Sequence, residues 1–240
     1  MSSRDIESRL ASVRERMAAA ALRVGRKPEE ITLLGVAKRK SPELIVSAVR
    51  AGLCDLAESY VQEAAAKIPA VNTELGSAGL AVPRWHFVGQ LQRNKARDVV
   101  RLFDAIASVD REPLGAELER RAVQQDRHLD ALLQLNLSGE PQKGGIDPAA
   151  LPKLLEASTR WPRLRITGLM TVPAAAADPE DSRPAFARLR SLRDALRGKP
   201  GGEHLSELSM GMTGDFEIAI EEGATIVRVG TAIFGSRSES

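Results

Sequence analysis

The sequence predicts an α/β protein folded as a single closed (β/α)₈ barrel over residues 1–240. Three observations carry that prediction. Apolar strand-like runs alternate eight times with helical patterns, which means parallel pairing. No glycine-rich dinucleotide fingerprint follows the first strand, against an open doubly wound sheet. Polar residues (Lys38, His86, Asn136, Ser209 and Arg228) end strands one, three, five, seven and eight. Neighbouring strands lie about 4.8 Å apart, so an open sheet would scatter these ends. Closure sets strand eight beside strand one and makes Lys38 and Arg228 neighbours at one mouth.

Composition narrows the function classes. At 240 residues the chain can bury one large core. A formal net charge of +2, with acids and bases interspersed on helical faces, offers no basic block for nucleic acid. The first 26 residues are charged every few positions and no window approaches membrane-spanning length, so a cytoplasmic protein with no membrane partner is expected. The single cysteine, Cys54, excludes an internal disulfide and is read as a small buried apolar residue. Histidines at 86, 128 and 204 lack ligand spacing, so no metal site is expected.

The elements follow in order. Residues 1–26 form an N-terminal amphipathic segment, helical over 3–24, with Ile6, Leu10, Val13, Met17, Ala20 and Val24 on one face and Gly25 at its end. The apolar run 31–37 is strand one, covered on both faces, and delivers Lys38 to its carboxyl end. Ser41 and Pro42 open a helix over 42–51 as cap and first residue. Residues 53–57 are strand two and 60–68 a helix, while 72–83, punctuated by Gly and Pro, is a surface loop far from any core. Strands three to eight fall at 84–88, 104–109, 129–137, 164–170, 205–209 and 225–229, alternating with helices at 91–102, 113–125, 148–160, 181–197 and 213–222. Few residues follow strand eight, so the N-terminal helix is expected to complete the outer ring. Residues 174–177 are read as a loop over the mouth.

Read alone, Lys38 is a solvated lysine at a strand end. The segment Leu208-Ser-Met-Gly-Met-Thr-Gly-Asp-Phe216, with 226–235, reads as a phosphate cup: backbone N–H groups at Gly211, Gly230 and Thr231, hydroxyls at Ser209, Thr213 and Thr231. Thr213 could equally cap the next helix, and Gly230 could simply make a turn. A lysine on strand one and a phosphate cup on strands seven and eight together suggest pyridoxal 5′-phosphate, held as a Schiff base at one end and by its phosphate at the other. Schiff-base formation needs a neutral amine, which burial and the nearby cations Arg39 and Lys40 would favour. Arg228 would contact the pyridine nitrogen. An arginine only donates a hydrogen bond there, leaving a weaker electron sink than a carboxylate would. Its structural alternative is an ion pair with Asp215. His86 would line the pocket, exchange protons, or sit hydrogen-bonded in the core. Asn136 would bond a ring substituent or satisfy loop backbone. Asn94 and Lys95 are read as surface residues.

These segments resemble the YggS/PROSC family of pyridoxal phosphate homeostasis proteins, whose TIM barrel is similar to the N-terminal domain of alanine racemase. The resemblance rests on Val36-Ala-Lys38-Arg-Lys, Tyr60-Val-Gln-Glu63, His86-Phe-Val-Gly89-Gln-Leu-Gln92-Arg-Asn-Lys95, Asn136-Leu-Ser-Gly-Glu140 with Lys143 and Gly145, Gly168-Leu-Met170-Thr171, Ser209-Met-Gly-Met212-Thr213-Gly-Asp215, and 222–235, and spans nearly the whole chain. It implies that Lys38 carries the cofactor as a covalent aldimine, that Ser209, Thr213, Gly230 and Thr231 bind its phosphate, and that Arg228 meets the ring nitrogen. Met170 and Met212, in the matching segments, join His86 and Asn136 among the expected cofactor contacts. One departure stands out: the family usually reads Gly-Glu-Asn before the tyrosine, and this chain reads Ala57-Glu58-Ser59. Any hydrogen bond made by that asparagine is shortened or lost.

Two function classes follow. The first is a non-catalytic protein of pyridoxal phosphate homeostasis, expected to be a monomer, that sequesters the aldehyde on Lys38 and supplies apo-enzymes. The second is a racemase-like enzyme, which needs a proton donor facing Lys38; alanine racemases take it from a tyrosine of an additional β-domain, and the only tyrosine here, Tyr60, follows strand two. A phosphosugar-binding barrel with a Schiff-base lysine is a third reading.

Overall fold

The computed structural model describes residues 3–140, 144–174 and 177–235. Lys143 and the middle of the 174–177 loop, both singled out above, lie outside them. Among the described residues, strands β1 (Thr32–Val36), β2 (Asp55–Glu58), β3 (Arg84–Phe87), β4 (Ala105–Val109), β5 (Leu129–Leu135), β6 (Leu164–Thr171), β7 (Glu207–Ser209) and β8 (Ile226–Val229) close into one parallel barrel in chain order. β1 pairs with β8 in register Leu34↔Arg228, the adjacency that closure demands. Helices α1 (Ser3–Arg23), α2 (Pro42–Arg50), α3 (Val61–Ser77), α4 (Ala96–Leu102), α5 (Glu112–Gln124), α6 (Leu151–Ser158), α7 (Arg183–Leu196), α8 (Phe216–Glu221) and the short α9 (Thr231–Phe234) lie outside it.

The outer layer follows from helical periodicity. α1 buries Ile6, Leu10, Val13, Met17, Ala20 and Ala21 and packs on α2, α8 and α9, filling the ring where a full last helix would lie. Val24 is exposed instead, because the helix has ended and Gly25 turns the chain at φ 68°. α3 departs most from expectation: it runs through residues 72–77, read above as loop. Its buried Val61, Ala64, Ile68, Val71 and Leu75 lie on one face, and that burial outweighs the cost of Pro69 inside the helix, about 3 kcal/mol. The helices expected from 91 and 148 begin as 3₁₀ turns (Arg93–Lys95, Pro148–Ala150), and α8 begins at Phe216 rather than Thr213. Cys54, expected to be buried, is exposed at the amino end of β2.

Inside the barrel, Leu34, Ala57, Ala107, Leu132, Met170 and Ile226 form an apolar middle. Toward the amino-terminal end the filling is ionic: Asp130 holds Arg84 and, at 2.7 Å, Arg165. Toward the carboxyl-terminal end the strands deliver the groups described next.

Candidate functional site

Two residues beyond Ile226 on the same face of β8, Arg228 points into the barrel with 5 % of its surface exposed. Its Nη1 donates to Ser209 Oγ at 2.8 Å and its Nη2 to the Thr171 carbonyl at 2.9 Å. Met170, Ser209 and Ile226 stand side by side across β6, β7 and β8, so the guanidinium sits on a floor of neutral groups. Burial pushes its pKa down to about 10, with Asp215 as the opposing influence. It stays charged at neutral pH. The ion pair considered above does not form: Asp215 accepts instead from Ser182 Oγ (3.0 Å) and from the Met212 N–H (2.7 Å), and so fixes the loop after β7.

Lys38 lies past the end of β1 in a turn and is exposed, so the burial expected of it is absent. It nevertheless shares a cleft of about 220 Å³ with Gly230 and Thr231, the wall being completed by Val36, Arg39, Lys40, Tyr60 and Gly235. The cleft joins the ends of β1 and β8, as closure required. Arg39 and Lys40 have partners: the Arg39 guanidinium lies 5.6 Å from the centroid of the Tyr60 ring, and Lys40 Nζ donates to the Gly235 carbonyl at 2.9 Å.

The other candidates divide. Met212 is exposed and Thr213 half-buried on the loop held by Asp215. Thr213 is not the cap of α8, since Asp215 occupies that position. Gly211 has φ 88°, and a Cβ there would lie 2.5 Å from Ala219 Cβ, so packing on α8 accounts for this glycine. His86 does not reach the cleft; buried inside the barrel, its Nε2 is 2.8 Å from Asp55 Oδ1 toward the amino-terminal end. Asn136 serves loop backbone, donating to the Glu140 carbonyl and accepting from Ser138 Oγ and the Gly139 N–H.

Sequence reasoning missed a buried charge cluster behind the Lys38 turn. Lys67 Nζ on α3 donates to Glu58 Oε1 (2.7 Å), to Glu63 Oε1 and to the Ala37 carbonyl (2.9 Å). Glu63 and Lys67 stand four residues apart on a helix, a spacing that could have signalled the pair; Glu58 had no such signal. Glu58 is fully buried, its Oε2 meets no partner, and burial pushes its carboxyl up to about 7 against the pull of Lys67. A carboxyl whose folded pKa is raised holds its proton better folded than unfolded, so stability falls as pH climbs from about 4.5 through about 7. Glu58→Gln is therefore expected to melt like wild type at pH 5 but above it at pH 8. The gain should be about 1–3 kcal/mol, or roughly 2–12 °C. Parallel melting curves across that range would count against the buried carboxyl.

Comparison with known proteins agrees with the barrel. Residues 10–238 match the family profile described as the alanine racemase N-terminal domain. A pyridoxal phosphate homeostasis protein of Escherichia coli K12 is 43% identical over 238 residues, covering 98% of this chain and 98% of that protein. A crystal structure of an unknown protein from Bifidobacterium adolescentis superposes with a TM-score of 0.91 at 37% identity, covering 97% of this chain and 95% of that one. PipY of Synechococcus elongatus, solved with pyridoxal phosphate bound, superposes at 0.80 with 35% identity, covering 96% of this chain and 100% of that one.

Proposed function

The chain belongs to the alanine racemase N-terminal domain family, among the pyridoxal phosphate homeostasis proteins, and from that premise we propose that it binds pyridoxal 5′-phosphate and holds it on Lys38 without turning over a substrate. The observation that carries this reading is the shared cleft: an exposed amine at Lys38 and the backbone and hydroxyl groups of Gly230 and Thr231 line one space. Arg228, buried and charged, has two neutral hydrogen-bond partners and suits a ring nitrogen that accepts. The donor types therefore fit the cofactor, with Arg228 buried inside the barrel rather than in the wall of the cleft itself. Ser209 and Met170 belong to the floor under the ring, with Met212 and Thr213 on the loop beside the phosphate. His86 and Asn136 are engaged elsewhere and drop out of the binding set.

When bound, pyridoxal phosphate supplies an aldehyde that condenses with a neutral amine, releasing one water, and borohydride fixes the product. The chain's own groups do the rest. Lys38 presents the amine, Gly230 and Thr231 hold the anionic end, and Arg228 donates to the ring nitrogen but cannot take up a proton there, which lowers the drive to abstract protons from amino acids. Retention and release suit this arrangement better than turnover. Supply to apo-enzymes is the role that follows, with the protein acting as a monomeric carrier.

Purified protein mixed with pyridoxal phosphate is expected to gain an absorbance band that borohydride converts to a stable adduct on Lys38, located by peptide mass mapping. Lys38→Ala should lose the adduct. An adduct on another lysine, or a colourless wild type, would sink the reading. Tyr60 gives the racemase-like alternative a footing, because its side chain lines the same cleft as Lys38. Solvent deuterium entering the α-position of alanine or serine at enzymatic rates would favour that alternative, and transfer of cofactor to an apo-transaminase without such exchange favours the carrier.

A further inference from the structure

Lys38 sits in a tight turn that one backbone hydrogen bond closes, from the Lys40 N–H to the Ala37 carbonyl at 3.1 Å. The next residue, Arg39, has φ 59°, a left-handed conformation that costs a non-glycine residue about 1–2 kcal/mol and persists only where its surroundings impose it. Side chains of α3 reinforce that closure. The carbonyl of Ala37, in the peptide group before Lys38, accepts from Lys67 Nζ at 2.9 Å; the N–H of Arg39, in the peptide group after it, donates to Glu63 Oε1 at 2.6 Å. Lys67 and Glu63 are bonded to each other, and Glu58 Oε1 holds Lys67 from β2. Both peptide planes that flank Lys38 are therefore gripped by one charge cluster on a neighbouring helix.

We propose that Glu63 and Lys67 are positioning residues for Lys38: they clamp the peptide planes on either side of it, aim its amine into the cleft, and so set how long pyridoxal phosphate is retained. The proposal rests on the reading of Lys38 given above. A side chain as long as lysine, on an exposed turn, samples many directions unless its backbone is fixed, and each direction away from the cleft favours release. Neither residue touches the cleft; they act through the turn.

Glu63, a quarter exposed, can be changed with little risk to folding. In the protein without cofactor, Glu63→Ala is expected to raise the hydrogen-exchange rate of the Arg39 amide on the order of 10-fold, as loss of one charge-assisted hydrogen bond implies. In the loaded protein, release of pyridoxal phosphate into a scavenging apo-enzyme should quicken by a similar factor. Glu63→Gln keeps an acceptor oxygen and should return both rates to within about 3-fold of wild type. Val71→Ala, a cavity in the same helix far from the turn, serves as the control for plain destabilisation. Unchanged Arg39 exchange in Glu63→Ala, unchanged release, or equal effects in Val71→Ala would each overturn the proposal. Failure of the cofactor reading is separately visible as a wild type with no Lys38 adduct, in which case the exchange measurement alone decides whether the turn is clamped.

Discussion

Arg228→Met is expected to leave the fold standing and to weaken pyridoxal phosphate binding by roughly 10–100-fold, the worth of one charge-assisted hydrogen bond. The two halves of this expectation have different causes. In the barrel the guanidinium is a buried cation satisfied by the Ser209 hydroxyl and the Thr171 carbonyl, with Asp215 committed to Ser182 and the Met212 N–H. Removing it forfeits two charge-assisted hydrogen bonds of about 1.5–3 kcal/mol each but also removes a desolvation penalty of several kcal/mol. Methionine is of similar length and apolar, and stands beside Leu34 in the β1–β8 register. The melting temperature should stay within about 5 °C of wild type. Binding has no such offset, because a ring nitrogen brought down over methionine loses its donor and finds no other. Absorbance titration with pyridoxal phosphate, beside a thermal melt, checks both halves. Undiminished affinity would remove Arg228 from the site, and a variant that fails to fold would assign it to the core instead.

The barrel was legible because eight short apolar-rich runs alternate with amphipathic helices such as α1. Closure was legible from function: only a closed sheet puts the ends of strands one and eight together, and the register Leu34↔Arg228 is that adjacency. The full length of α3 was hidden, since Pro69 and Gly76 argue for a loop and only the burial of Val71 and Leu75 overrules them. The exposure of Lys38 was hidden too, because the strand stops at Val36 and the chain turns immediately. What the sequence conceals most thoroughly is pairing between distant segments. His86 meets Asp55, Ser182 meets Asp215, and Lys67 meets the Ala37 carbonyl, each across a separation that no local pattern encodes. Residue type identified candidates; only the fold shows that His86 is bonded to Asp55 and that Arg228 is bonded to Ser209 and the Thr171 carbonyl.

Gly89→Ala is expected to cost about 3 kcal/mol or more, lowering the melting temperature by roughly 6–12 °C. A Cβ at this position would lie 2.0 Å from the Ser59 carbonyl oxygen, 2.8 Å from its carbon and 2.9 Å from its Cα. All three are backbone atoms, so no side chain can swing aside to relieve the clash; one of the two loops must move. The neighbouring Val88 N–H donates to the Glu58 carbonyl at 2.9 Å, and displacement strains that bond as well. Ser59 leads directly into Tyr60 and the first turn of α3, which carries Glu63, so the shift propagates to the Arg39 amide and loosens the turn that bears Lys38. Faster release of pyridoxal phosphate should accompany the lower melting temperature. Gly76→Ala is the matched contrast: the added methyl meets nothing within 4 Å, and a helical alanine should gain about 0.5–1 kcal/mol without touching retention. The same methyl thus destabilises at one glycine and stabilises at the other. A Gly89→Ala protein that melts within about 2 °C of wild type would mean that the loops after β2 and β3 part without cost, and the path from Ser59 to Lys38 would fall with it.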